Sequence, residues 1–202
     1  MRIAVYGATG MIGSRVVAEA LSRGHEVVGI TRSGGELPAG AVSERGDAGD
    51  PALTKRIAGE VDVVVSAIGP DRTGGDRRAY LGHLRNLVDT LGDTRLIVVG
   101  GAGSLLVDGK RLVDSPDFPE AYRPEALVAA EALDYFRGLG EGVDWTFLSP
   151  APVIAPGTRT GSYEVGTDSP VGDSVSAEDF AVALIDEIEK PAFRRRRFTV
   201  AN

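Results

Sequence analysis

Five short apolar runs, at residues 3–6, 26–31, 61–68, 95–99 and 143–148, constrain this chain more than any other feature. Each is rich in valine or isoleucine and too short for a buried helix. Near-continuous apolar character marks strands covered on both faces, as in a parallel sheet. Helical stripes fall between and after them. Leu84, Leu87, Val88 and Leu91 form one, Ala129, Ala132, Leu133, Phe136 and Leu139 a second, and Ala177, Ala181, Leu184, Ile185 and Ile188 a third. Asp50 followed by Pro51 reads as a helix start, and Ser176 with Asp179 as a capping box. Short strands are expected at 42–45 and 198–201. Repeated strand–helix units with right-handed crossovers predict an α/β fold: a doubly wound, mostly parallel sheet with helices on both faces.

Two stretches lack this regularity. Residues 100–123 read as a long loop, and residues 151–175 are rich in Gly, Pro, Ser and Thr. Both follow strands, so both belong to the carboxyl edge of the sheet, where open α/β folds bind ligands. They are expected to form the substrate side, the second as a small C-terminal extension of one domain spanning 1–202. The run Arg194–Arg197 reads as a solvated approach to the last strand.

Composition narrows the chemistry. The chain has 202 residues and a net charge of −7, which argues against a nucleic-acid partner. It has no cysteine and two histidines, His25 and His83, so thiolate catalysis, disulfides and a multi-histidine metal site are excluded. No apolar run reaches the roughly 18 residues of a membrane span. The first residues enter a strand without a leader pattern, so a soluble cytoplasmic protein is expected.

The motif Gly7-Ala-Thr-Gly10-Met-Ile-Gly13 follows the first strand directly and opens the first helix. Gly7 permits a tight turn, Gly10 admits a pyrophosphate to the backbone, and Gly13 lets the helix pack closely. The loop and helix start at Thr9, Gly10, Met11 and Ile12 present N–H groups to the phosphates, aided by the helix dipole. The Lys-Ser/Thr ending of a nucleoside triphosphatase loop is missing. At the end of the second strand stands Arg32, flanked by Thr31 and Ser33, where an NAD enzyme more often carries Asp or Glu. A guanidinium fork suits a 2′-phosphate, so the expected cofactor is NADP(H), with NADPH preferred over NADH.

With the glycine loop, the stretches Val99-Gly-Gly-Ala-Gly-Ser-Leu105, Trp145-Thr-Phe-Leu-Ser-Pro150 and Arg159-Thr-Gly-Ser-Tyr163 complete a pattern. Across essentially its whole length the chain resembles the small NAD(P)H-binding group of atypical short-chain dehydrogenases, which includes NmrA-like proteins and is similar to biliverdin reductase B. The resemblance implies a Rossmann sheet, with Asp47 and Ala48 beside adenine and Ala67, Ile68 and Gly69 along the adenosine ribose. It brings Pro150, Ala151 and Val153 toward the nicotinamide. Gly100, in the second motif, is counted among the cofactor contacts.

Typical short-chain dehydrogenases use a tyrosine with a lysine four residues later as acid/base. Here the residues four after Tyr6, Tyr80, Tyr122, Tyr135 and Tyr163 are Gly10, Leu84, Ala126, Leu139 and Thr167. The dyad is absent. By resemblance Ser104 matches a catalytic or substrate-orienting serine, and Tyr122 and Tyr163 lie in the two long loops as candidate donors. The biliverdin-reductase-like members carry a histidine after the proline pair; this chain reads Pro150-Ala151-Pro152 without one, which argues against biliverdin. A site without a tuned acid suits hydride transfer from NADPH to a planar acceptor such as a flavin or quinone. The alternative is a redox-sensing module that binds NADP(H) without turnover.

Overall fold

The computed structural model describes residues 1–72 and 74–202. In chain order the elements are β1 Arg2–Tyr6, α1 Met11–Ser22, β2 Glu26–Thr31, β3 Val42–Arg45, α2 Pro51–Ala58, β4 Val63–Ser66, α3 Ala79–Thr90 and β5 Arg95–Val99. A small hairpin follows, β6 Leu106–Val107 and β7 Lys110–Arg111, then α4 Arg123–Arg137 and β8 Trp145–Pro150. The chain ends with β9 Val153–Ala155, β10 Glu164–Gly166, β11 Ser174–Ser176, α5 Ala177–Glu189 and β12 Arg196–Ala201. The main sheet has the order β10-β12-β8-β5-β4-β1-β2-β3. All its pairings are parallel except that of β10 with β12. This is the expected Rossmann-type sheet.

The alternation of the strands divides the core. Ile3, Val5, Val65, Ile97 and Leu148 face α1 and α5, while Ala4, Tyr6, Val64, Leu96, Val98 and Phe147 face α2, α3 and α4. Both caps form. The Asp50 carboxylate accepts from the N–H groups of Ala52 and Leu53 at 2.9 and 3.3 Å, with Pro51 at the first helical position. The Ser176 hydroxyl accepts from Asp179 N–H at 3.0 Å.

The two long loops have more structure than their sequences suggest. Residues 100–123 hold three 3₁₀ turns and the β6–β7 hairpin. The Arg123 guanidinium ties them down by donating to the carbonyls of Val113, Ser115 and Phe118 while pairing with Glu120. In residues 151–175, β9 pairs with β11 and β10 closes the sheet. The arginine run also departs from expectation. Arg194 pairs with Asp144, Arg195 donates to the Glu141 carbonyl at 3.1 Å, and Arg197 is buried against Asp168. A solvated face would leave these guanidiniums to water; here three of the four take protein partners.

Candidate active site

β1 lies between β2 and β4. The chain leaves β1 for β2 on one side and later crosses to β4 on the other, which opens a crevice above the carboxyl ends of β1 and β4. Gly7 enters this crevice at φ +79°, its N–H donating to the Ile30 carbonyl at 3.1 Å. A β-carbon there would lie 2.8 Å from the Ala67 carbonyl oxygen, so a side chain is barred twice, by conformation and by space. Gly13 is barred by contact with Gly7. Gly10 differs: its β-carbon would meet only the Gly7 oxygen, at 3.3 Å. The front of the loop is therefore open while its back is packed. Thr9, Gly10 and Met11 are exposed, and Ile12 tucks into the α1–α5 side of the core.

No side chain caps the start of α1, and its first turn carries no acidic residue. Its leading N–H groups follow the glycine loop at the crevice, and a β-carbon on Gly69, three residues past the end of β4, would touch nothing within 4 Å. This arrangement fits a pyrophosphate on the glycine loop. Among the described residues, no group of three His, Asp or Glu side chains could hold a metal ion.

The end of β2 carries a second guanidinium that the sequence pattern did not reveal. Thr31 pairs in register with Arg45 of β3, and Arg45 Nε donates to the Arg32 carbonyl at 3.2 Å. Arg32 and Arg45 are both exposed at the same edge. The loop 32–41 folds back on the phosphate loop, with Leu37 against Gly29 and Ala8, and Gly35 against Thr9. Asp47 accepts from Gly49 N–H at 2.7 Å and lies 3.3 Å from His83 Nε2. Asn86 donates to the Ala48 carbonyl at 2.7 Å and to the Thr54 hydroxyl, fixing the turn before α2.

Ala67, Ile68 and Gly69 leave β4 at the crevice, with Ala67 N–H donating to the Tyr6 carbonyl at 2.9 Å. Gly100 has a packing reason to be glycine, because a β-carbon would come within 2.0 Å of the Phe147 ring. Pro150 and Ala151 are buried at the end of β8, and Val153 is 59% exposed. The segment after them is clipped to α1 and α5 by acids whose role was not evident beforehand. Arg159 pairs with the buried Glu19 at 2.7 Å, and Gly157 N–H donates to Glu178 at 2.7 Å. The buried Asp179 accepts from the N–H groups of Thr160 and Gly161.

The three candidate donors are not gathered at one place. Ser104 is buried, its hydroxyl 3.4 Å from Arg197 Nη1. Tyr163 precedes β10 at the far edge of the sheet, and its hydroxyl donates to Asp186 at 2.5 Å. Asp186 also binds Arg23, which follows the last turn of α1, so this phenol lies toward the amino edge, away from the crevice. Burial first, and then the Asp186 bond, raise the Tyr163 pKa above the ordinary phenol range. Tyr122 immediately precedes α4, is 60% exposed, and its hydroxyl has no hydrogen-bond partner among the described residues. Tyr6 and Tyr80 are buried, and burial raises both pKa values.

Comparison with known proteins agrees with this geometry. A family model described as NAD(P)H-binding matches residues 7–191. The uncharacterized protein YwnB of Bacillus subtilis (strain 168) is 39% identical, with 100% of this chain and 99% of that protein covered. The structure of SP1627 from Streptococcus pneumoniae TIGR4, provisionally assigned as an NADH-flavin reductase, is 33% identical with a TM-score of 0.91 and covers 100% of this chain and 99% of its own. ChuY, an anaerobilin reductase from Escherichia coli O157:H7, has a TM-score of 0.76 at 19% identity, over 100% of this chain and 97% of its own, and so shares the fold.

Proposed function

The chain belongs to the NAD(P)H-binding family, and from that premise we propose that it is an NADPH-dependent reductase whose acceptor is a planar redox molecule such as a flavin or quinone. One observation carries the reading: an open glycine loop with two guanidiniums beside it shares its crevice with no tyrosine–lysine dyad. When bound, the dihydronicotinamide supplies a hydride. The protein's part is to bind and to orient. The N–H groups at the start of α1 hold the pyrophosphate. Arg32 and Arg45 provide forked donors for a 2′-phosphate and leave NADH, which lacks that group, without a partner there.

Tyr122 is the tyrosine best placed to meet an acceptor, because it is exposed beside the start of α4. Its role is orientation: a flavin or quinone needs stacking and alignment more than a tuned acid. SP1627 bears an assignment of the same class, which supports the choice of acceptor.

The test is single-turnover absorbance of NADPH at the nicotinamide band, with a panel of flavins, quinones and simple ketones. Oxidation with flavins or quinones and none with ketones is expected. Tight NADPH binding without oxidation by any acceptor would overturn the enzyme reading and leave a redox-sensing module.

A further inference from the structure

The amino edge of the sheet, opposite the glycine loop, carries a cavity of about 360 Å³ between the end of α4 and the start of β12. Arg137, Arg195, Arg196, Arg197, Asp168 and Trp145 contribute to its lining. Four guanidiniums thus meet one carboxylate in a chain whose net charge is −7. That carboxylate is shared: Asp168 pairs with both Arg137 and Arg197. Arg195 donates to a neutral carbonyl, that of Glu141, from a backbone held at φ +56°. Arg196 is exposed, and its guanidinium has no hydrogen bond or ion pair among the described residues. The nearby Asp144 is taken by Arg194. The positive charge of the cavity is left undercompensated.

We propose that this cavity is a second binding site, specific for the phosphate or pyrophosphate group of a small molecule and separate from the dinucleotide crevice. Arginine forks grip such oxyanions through paired hydrogen bonds, and a volume of this size admits a phosphorylated metabolite. A backbone polyanion such as nucleic acid is the poorer occupant: the cations line a cavity, and the net negative charge of the rest of the surface repels a long strand.

Trp145 is the chain's single tryptophan and lines the cavity, so its emission reports on the site directly. Sodium pyrophosphate is titrated into the full chain with and without saturating NADP⁺, against sodium chloride of equal ionic strength. A saturable emission change is expected, with a midpoint that NADP⁺ leaves in place and that Arg137→Gln/Arg196→Gln weakens at least tenfold. Both replaced residues are exposed, and circular dichroism with NADP⁺ affinity checks that the variant is folded. Broadening of the pyrophosphate ³¹P resonance provides a second readout. The proposal is overturned if neither signal responds, if chloride reproduces the change, if NADP⁺ abolishes it, or if the folded variant binds like the parent. Tighter binding of an eight-residue oligothymidylate than of pyrophosphate would overturn it in favour of a nucleic-acid surface.

Discussion

Gly13 lies directly against Gly7: a β-carbon on Gly13 would come within 2.1 Å of the Gly7 carbonyl oxygen. The first turn of α1 can approach the end of β1 only because Gly13 has no side chain in that gap, while the space a Gly7 side chain would need is taken by Ala67 and Ile68. This contact aims the helix start at the crevice. Gly13 therefore acts through packing, whereas Gly10 is exposed, its β-carbon meeting only the Gly7 oxygen at 3.3 Å, and acts through access.

That division predicts opposite phenotypes. Gly10→Val is expected to leave the melting temperature within a few degrees of the parent and to abolish NADPH binding in calorimetry. Gly13→Ala is expected to destabilise the fold by about 1–3 kcal/mol, the range for overpacking a close contact. Retained NADPH affinity in folded Gly10→Val would place the nucleotide elsewhere.

Arg32 and Arg45 should act together on cofactor choice. Arg32→Ala is expected to weaken NADPH binding by about tenfold, equivalent to about 1.4 kcal/mol, and to leave NADH affinity nearly unchanged. Arg45→Ala should do the same to a smaller degree, since Arg45 also donates to the Arg32 carbonyl. Added salt should weaken NADPH more than NADH, because the additional contact is ionic. Equal losses for both nucleotides would remove the 2′-phosphate from this edge.

The strands and caps were legible because their signals are local. A continuous apolar run, a glycine triplet after a strand or an Asp-Pro pair states its own role, and β2, β5 and the cap at Asp50 lie where the sequence places them. What stayed hidden is held by polar contacts between distant residues. Arg123 gathers three carbonyls of its own loop, Asp179 fixes a turn 18 and 19 residues earlier, and Tyr163 finds Asp186 23 residues on. None of these pairings leaves a period or a motif. The role of Arg45 leaves no sequence signal for a related reason: it reaches Arg32 only through the pairing of β3 with β2.

Glu19 gives a pH-dependent prediction. Hydrogen bonding from Arg159, with further help from Arg23, outweighs burial and holds its carboxyl below the ordinary glutamate value. A depressed folded pKa contributes stability that is present above the unfolded value of about 4.3 and is lost as pH falls through the folded value. Glu19→Gln is thus expected to lower the melting temperature at pH 7 and to flatten its decline below about pH 4.3. Thermal melts between pH 3 and 7 measure both effects. An unchanged acid slope would mean that the clip between α1 and residue 159 adds nothing to stability.

The remaining prediction separates orientation from proton delivery. Ser104→Ala, Tyr122→Phe and Tyr163→Phe are each expected to slow single-turnover hydride transfer to a flavin or quinone by less than about tenfold, whereas a positioned general acid contributes about 10²–10⁴-fold. Their other effects should differ, because their surroundings differ. Tyr163→Phe removes a hydrogen bond to the Asp186 carboxylate and should cost about 1.5 kcal/mol of stability with little change in rate. Ser104→Ala removes only the longer 3.4 Å contact with Arg197 and should alter both quantities slightly. Tyr122→Phe, at an exposed residue with no partner to lose among the described residues, should leave stability unchanged and produce the largest rate effect of the three. A thousandfold loss of hydride transfer in any one variant, with NADPH affinity retained, would identify a dedicated acid and overturn the account based on stacking and alignment.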